Sequence, residues 1–173
     1  MTSLLRFALI AILSATSCLA QTGTVTFYSQ GLSAKNAATA FLPKSEKPFG
    51  GMQGGWLFDG TQRLARIRAG RFVIFHLNPG EHSFTDVGPT GPSKKSLVIN
   101  VREGGHYCVR LFAKMMNLWV YAQWENRIEE VPCERAQREA AHLKPIEIKR
   151  VDPAARAEFD PATVFPNKRQ VQH

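Results

Sequence analysis

Cysteine and histidine are scarce in this chain, three and five among 173 residues, and their spacing is uninformative about metals. Neither a Cys-x-x-Cys pair nor a His-x-x-x-His step occurs, so the short-range patterns that gather zinc ligands are missing. The Gly-x-Ser-x-Gly elbow that presents a nucleophilic serine is also absent. The glycine-rich "FGGMQGG" (49–55) lacks a Gly-Lys-Ser/Thr ending and a following helix to offer backbone N–H groups to a phosphate, and reads as an exposed connection. No apolar run reaches the roughly 18 residues that cross a bilayer. Between Gly23 and Asn126 no stretch has helical period.

The first twenty residues have a definite order. Arg6 precedes an apolar run from Phe7 to Leu13, and small residues end the segment at Cys18-Leu19-Ala20. That is the layout of a secretory signal peptide, with the mature chain expected to start near Gln21. Cys18 admits a second reading, as the acylated first residue of a lipoprotein, although Ala15 stands where a lipobox usually has Leu, Val or Ile. The remaining residues, about 150, suit one domain with its own core. Loss of Arg6 lowers the formal net charge of +8 by one. The cations are scattered along the sequence: Arg63, Arg66, Arg68 and Arg71, then Lys94 and Lys95, then Lys144, Lys149 and Arg150. Such a balance favours loose association with anions. In an exported protein it points to an envelope protein or an anionic polymer rather than to nucleic acid, and to the membrane only if Cys18 is lipidated.

What fills the chain is short apolar runs punctuated by Gly, Pro, Asn and Asp. "TVTFYS" (24–29) alternates as a half-buried strand, "AATAFLP" (37–43) is a weaker one, and 44–55 is a loop. Strands are expected at 55–60, 62–70, 71–80, 81–87, 96–102, 106–114 and, in the aromatic "NLWVYAQWE", at 117–125. Phe72 to Leu77 is apolar on both faces apart from His76, the mark of a central strand. Ala69-Gly70 and Pro79-Gly80 read as hairpin turns, the latter setting the register of its hairpin. Turn signals about ten residues apart predict a mainly β fold: an antiparallel β-sandwich of seven or eight strands.

The period changes at 131–143, where Cys133, Ala136, Ala140 and Leu143 fall on one stripe of a short helix, with Pro132 in its first turn and Glu134 four residues before Arg138. Cys133 then faces the body of the protein and can meet Cys108 on its strand. Two cysteines in a mature exported chain read first as one disulfide. Closing a loop of about 25 residues, it would contribute on the order of 3 kcal/mol. Residues 21–143 thus form the sandwich with its helix. Residues 144–173 form an extended or disordered tail, with a short edge strand at 145–151 and Phe159 and Phe165 available to lie on the surface.

His76, Glu81, His82 and Asp86 in and around "HLNPGEHSF" (76–84) make the most suggestive chemical cluster. A metal or hydrolytic site would use His76, His82 and a third ligand such as His106 or His142. Strand parity argues against convergence, because His82 shares a face with Phe84 while Glu81 shares the other with Ser83. The residues therefore read as the flanks of a turn, with no catalytic, metal or cofactor site expected. Trp119, Tyr121 and Trp124 form alternating rings that line either the core or a binding surface.

With the strands placed, "LARIRAGRFVIFHLNPGEHSF" followed by "LVINVREGGHYCVRL" resembles a family of bacterial secreted proteins and lipoproteins of unknown function. It is also similar to the carboxypeptidase-regulatory-like and transthyretin-like sandwiches, in which Leu-x-Pro-Gly is a recurrent turn. The matching residues are Leu77, Pro79, Gly80, His82, Gly104, Gly105, Tyr107, Val109 and Arg110, within Asp59 to Ala122. The resemblance implies a small β-sandwich without known enzymatic activity and supplies no catalytic residues. The Cys133 helix and the tail depart from it. The function expected is that of an exported, noncatalytic interaction module of the envelope or periplasm.

Overall fold

A computed structural model describes residues 22–29, 55–88, 91–115 and 124–162. The expected signal peptide with Cys18, the expected strand at 37–43, Trp119, Tyr121 and Phe165 lie outside the described residues. Along the chain run β1 (Gly23–Ser29), β2 (Gly55–Asp59), β3 (Gln62–Ile67), β4 (Arg71–Leu77), β5 (Gly80–Gly88), β6 (Gly91–Pro92) and β7 (Leu97–Val101). There follow β8 (His106–Met115), β9 (Trp124–Val131), the helix α1 (Cys133–Ala140), β10 (Lys144–Pro145) and β11 (Phe159–Asp160).

The strands form two sheets, as a β-sandwich requires. One has the order β10-β4-β1-β8-β9, with β11 also on the edge of β4; the other has the order β3-β2-β5-β6, with β7 beside β5. Pairing is antiparallel apart from β1 with β8 and β4 with β10, which are parallel. Side-chain period two sends Val25, Phe27, Val73, Phe75 and Val109 inward to meet Leu57, Leu64, Phe84 and Val101 of the facing sheet. Phe27 and Phe84 meet edge-to-face across the interior, with ring centroids 4.9 Å apart.

The other face of the first sheet is buried as well. Tyr28, Phe72, Ile74, Cys108 and Val131 lie under Ala136 and Ala140 of α1, whose small side chains permit the close approach. The alternation of β1 suggests one wet face, yet Tyr28 is fully buried, because its hydroxyl donates to Glu139 Oε2 of the helix at 2.7 Å. The Cys108–Cys133 disulfide fastens the first turn of α1 to β8 across a separation of 25 residues.

The turns behave differently from expectation. Residues 68–70, 78–79 and 102–105 each carry the chain from one sheet to the other. Pro79-Gly80 and Ala69-Gly70 are therefore crossovers and not hairpins, and Pro79 and Gly80 set no hairpin register. The reason is that both edges of β4 are taken, one by β1 and the other by β10 and β11, which leaves no edge for β3 or β5. Gly80 has φ 145° with open space where a Cβ would stand, so backbone conformation and not room makes glycine suitable there. A true hairpin joins β2 to β3 through Gly60-Thr61.

Residues 117–123 of the strand expected at 117–125 lie outside the described residues, and the expected order of the chain after it is corrected in two respects. Trp124–Val131 is a strand whose charged sequence hides it; Arg110 Nη2 donates to Glu129 Oε1 directly across the β8–β9 ladder at 2.5 Å. The tail is not loose as far as Ala162. Ile146, Val151 and Ala155 are buried, Val151 bridges to Ala65 of β3, and Phe159 packs edge-to-face on Phe75. Residues 144–160 therefore close the side of the sandwich between β3 and β4 and cover edges that would otherwise be open to pairing. In place of the edge strand at 145–151 there is the two-residue β10 followed by a 3-10 turn at Ile148–Arg150.

Candidate functional site

The residues of "HLNPGEHSF" are spread over both sheets. His82 faces inward from β5 and stacks on Phe84, with centroids 5.9 Å apart. Its Nδ1 lies 2.5 Å from Asp59 Oδ2 of β2, and its Nε2 lies 2.9 Å from the carbonyl oxygen of Asn78 in the crossover. Asp59 Oδ1 accepts from the Ser83 N–H at 3.0 Å, and the Gly60 N–H donates to the Ser83 carbonyl at 2.8 Å. Both acceptors can be served together only by the imidazolium, which has two N–H donors. Burial opposes that charge; the Asp59 hydrogen bond, the Asn78 carbonyl and the fields of Asp59 and Glu158 outweigh it and raise the His82 pKa. Glu158 in turn is raised by burial and by Asp59. The arrangement is a polar clamp that ties the Pro79 crossover to the β2–β3 hairpin. Both ring nitrogens of His82 are engaged within this clamp, one by Asp59 and one by Asn78.

His76 sits elsewhere, on the outer face of the first sheet. Its Nε2 is 3.2 Å from Asp160 Oδ2, its Nδ1 is 3.3 Å from Thr24 Oγ1, and its backbone N–H donates to the Glu158 carbonyl. Thr24 pairs with His76 on one side and His106 on the other, and burial together with the His76 charge lowers the His106 pKa. Glu81 is exposed on the opposite face of β5 from His82. Among the described residues no group of three His, Cys, Asp or Glu side chains is placed to hold a metal ion. His76 and His82 are thus not brought together, and the His142 side chain is exposed beyond the end of α1.

Asp86 shares the inward face with His82 but lies at the other end of the sandwich. It is 4% exposed, and burial alone pushes its carboxyl up to about 7. It packs over Gly55, where a Cβ would come within 2.2 Å of Asp86 Oδ1. Its backbone is held by Ser93, whose N–H donates to the Asp86 carbonyl and whose Oγ accepts from the Asp86 N–H. Nearby, Asn126 of β9 is buried and donates through Nδ2 to the Gly91 carbonyl at 2.6 Å, linking the two sheets at this end.

Of the aromatic candidates, Trp124 opens β9 opposite Met115, and its ring lies outside the described part of the molecule with Trp119 and Tyr121. An open depression of about 400 Å³ beside the disulfide is lined by His106, Glu130, Pro132 and both cysteines, and brings no further ionisable group to them. Sequence reasoning passed over Asp59 as a partner of His82, and also Glu158 and Asp160. Asp59-Gly60 is a hairpin dipeptide whose signal could have placed Asp59 beside β5; nothing local could have placed Glu158 or Asp160, which pack from the far end of the chain. No protein-family model matches the chain, and neither a curated protein nor a solved structure is significantly similar to it.

Proposed function

We propose that the protein is an exported, noncatalytic β-sandwich that serves as an interaction module of the bacterial envelope or periplasm. The Cys108–Cys133 bond carries this proposal: it joins the two cysteines that a cleaved signal peptide would leave, and such bonds persist where thiols are not kept reduced. The absence of catalysis is supported by the two histidines closest to a site, each of which spends both ring nitrogens on hydrogen bonds. The secreted sandwich family that the 59–122 segment resembles fits the same proposal.

Expression of the full chain in a bacterial host, followed by fractionation, thiol titration and intact mass, tests it. The expected product starts near Gln21, is found outside the cytoplasm and has no reactive thiol. A cytoplasmic chain that keeps residues 1–20 with Cys108 and Cys133 reduced would overturn it. An acyl mass on Cys18 would make the protein lipid-anchored instead.

A further inference from the structure

Arginines that are separated in the sequence meet at the seam closed by residues 144–160. In the β2–β3 ladder Trp56 stands opposite Arg66, and the Trp56 ring centroid lies 4.5 Å from the Arg63 guanidinium and 5.8 Å from that of Arg66. The antiparallel bridge between Ala65 and Val151 sets Arg150 beside Arg66 on the outer edge of β3. Arg71 begins β4 opposite Lys144 and donates to the Pro145 carbonyl. Burial and the charges of Arg68, Arg66 and Arg71 weaken the hold of Arg150 on its proton, against the opposing pull of Glu147. Among the described residues Asp152 pairs with Arg63 at 2.6 Å and Glu147 with Lys149 at 2.5 Å at this surface. Arg68 buries its Nε without a hydrogen-bond partner.

We infer that this seam is a binding surface for an extended anionic polysaccharide, with Arg66, Arg68 and Arg150 as its anchors and Trp56 as the platform that orients Arg63 and Arg66. Like charges gathered on a fold repel one another, and an anionic ligand relieves that repulsion. Guanidinium forks match carboxylate, sulfate and phosphate groups in a two-point geometry that lysine cannot reproduce. Cation–π contact with Trp56 holds the guanidinium planes in place before a ligand arrives. Arg66 lies on β3, Arg68 follows directly after that strand, and Arg150 stands beside Arg66 through the bridge between Ala65 and Val151. Cations distributed over two neighbouring segments suit a polymer better than a single small anion, which would call for a concave site. The choice of polysaccharide over nucleic acid rests on the export proposal.

Heparin is the probe. The purified mature protein is titrated with fluorescent heparin at low and moderate salt, beside the reversals Arg66→Glu with Arg150→Glu and, as a control of equal charge change on the far edge of the same sheet, Lys94→Glu with Lys95→Glu. The expected result is a loss of affinity of tenfold or more, with a shallower salt dependence, for the seam pair and less than twofold for the control. Trp56→Phe should remove the part of the heparin-induced fluorescence change that comes from this ring. Circular dichroism checks folding; if the reversal pair does not fold, Arg66→Gln with Arg68→Gln replaces it. Equal losses in both pairs, no heparin binding by the unaltered protein, tighter binding of a DNA oligonucleotide, or binding confined to vesicles containing phosphatidylglycerol would each overturn the inference. Fractionation scores export separately from the titration, so failure of one is distinguishable from failure of the other.

Discussion

His82 and Asp86 lie on the same face of β5, four residues and roughly 13 Å apart, and the chain treats their charges in opposite ways. His82 meets a carboxylate, a carbonyl and an aromatic face, and its charge is stabilised despite burial. Asp86 meets Gly55 and Ser93, and burial is the cause that moves its titration. Side-chain parity sends both inward, while the neighbours supplied by other strands decide which charge is tolerated. The two ends also share a direction in pH. The Asp86 pKa is raised above its unfolded value of about 3.8, so stability present below that value is lost as pH rises to about 7. The His82 pKa is raised too, so its contribution is complete below about 6.5 and is lost as pH rises through its folded value. A buried acid and a paired base thus both favour the acidic side of neutrality.

Asp86→Asn gives the largest expected effect. Above pH 8 the variant should be more stable than the parent by on the order of 4 kcal/mol, a gain that shrinks toward zero near pH 4. Urea unfolding across that range measures it; an equal effect at both ends of the range would show that Asp86 is not the titrating group. Gly55→Ala comes next, with an expected loss of about 2 kcal/mol as the new methyl displaces the carboxylate. Repeating it in an Asp86→Ala background should cut that loss below about 1 kcal/mol, and an unchanged loss would place the strain in the backbone of β2. Asp59→Asn at the other end should cost about 1.5 kcal/mol at pH 6 and progressively less as the pH rises through the folded His82 value and the ring loses its charge. Titration of the His82 ring by NMR should show its pKa falling in that variant; a constant value would dissociate His82 from Asp59.

Much of this contrast was illegible in the sequence. The parity of β5 could be read, and it correctly separated His82 from Glu81, because alternation is a property of a single strand. That Asp59 would reach His82 depends on β2 pairing with β5, across 23 residues. The hairpin expected at Pro79-Gly80 failed because a Pro-Gly pair reverses direction without specifying the sheet in which the chain continues, and competition for the edges of β4 settled that. The tail failed for a related reason. Ile146, Val151, Ala155 and Phe159 are spaced five, four and four apart, which marks neither a strand nor a long helix, so their burial exists only against β3 and β4.

The sequence by itself determined the β-rich class, the doubly apolar β4, the stripe of α1 and the pairing of Cys108 with Cys133, since each depends on residues within one element or on two cysteines with a shared orientation. Tertiary structure alone decided which turns cross between the sheets, that the chain after Lys144 closes the sandwich, and that Arg150 joins Arg66 and Arg68. Those outcomes depend on contacts between residues some 80 positions apart, such as Ala65 with Val151, and local periodicity carries no information about the partner of a strand edge.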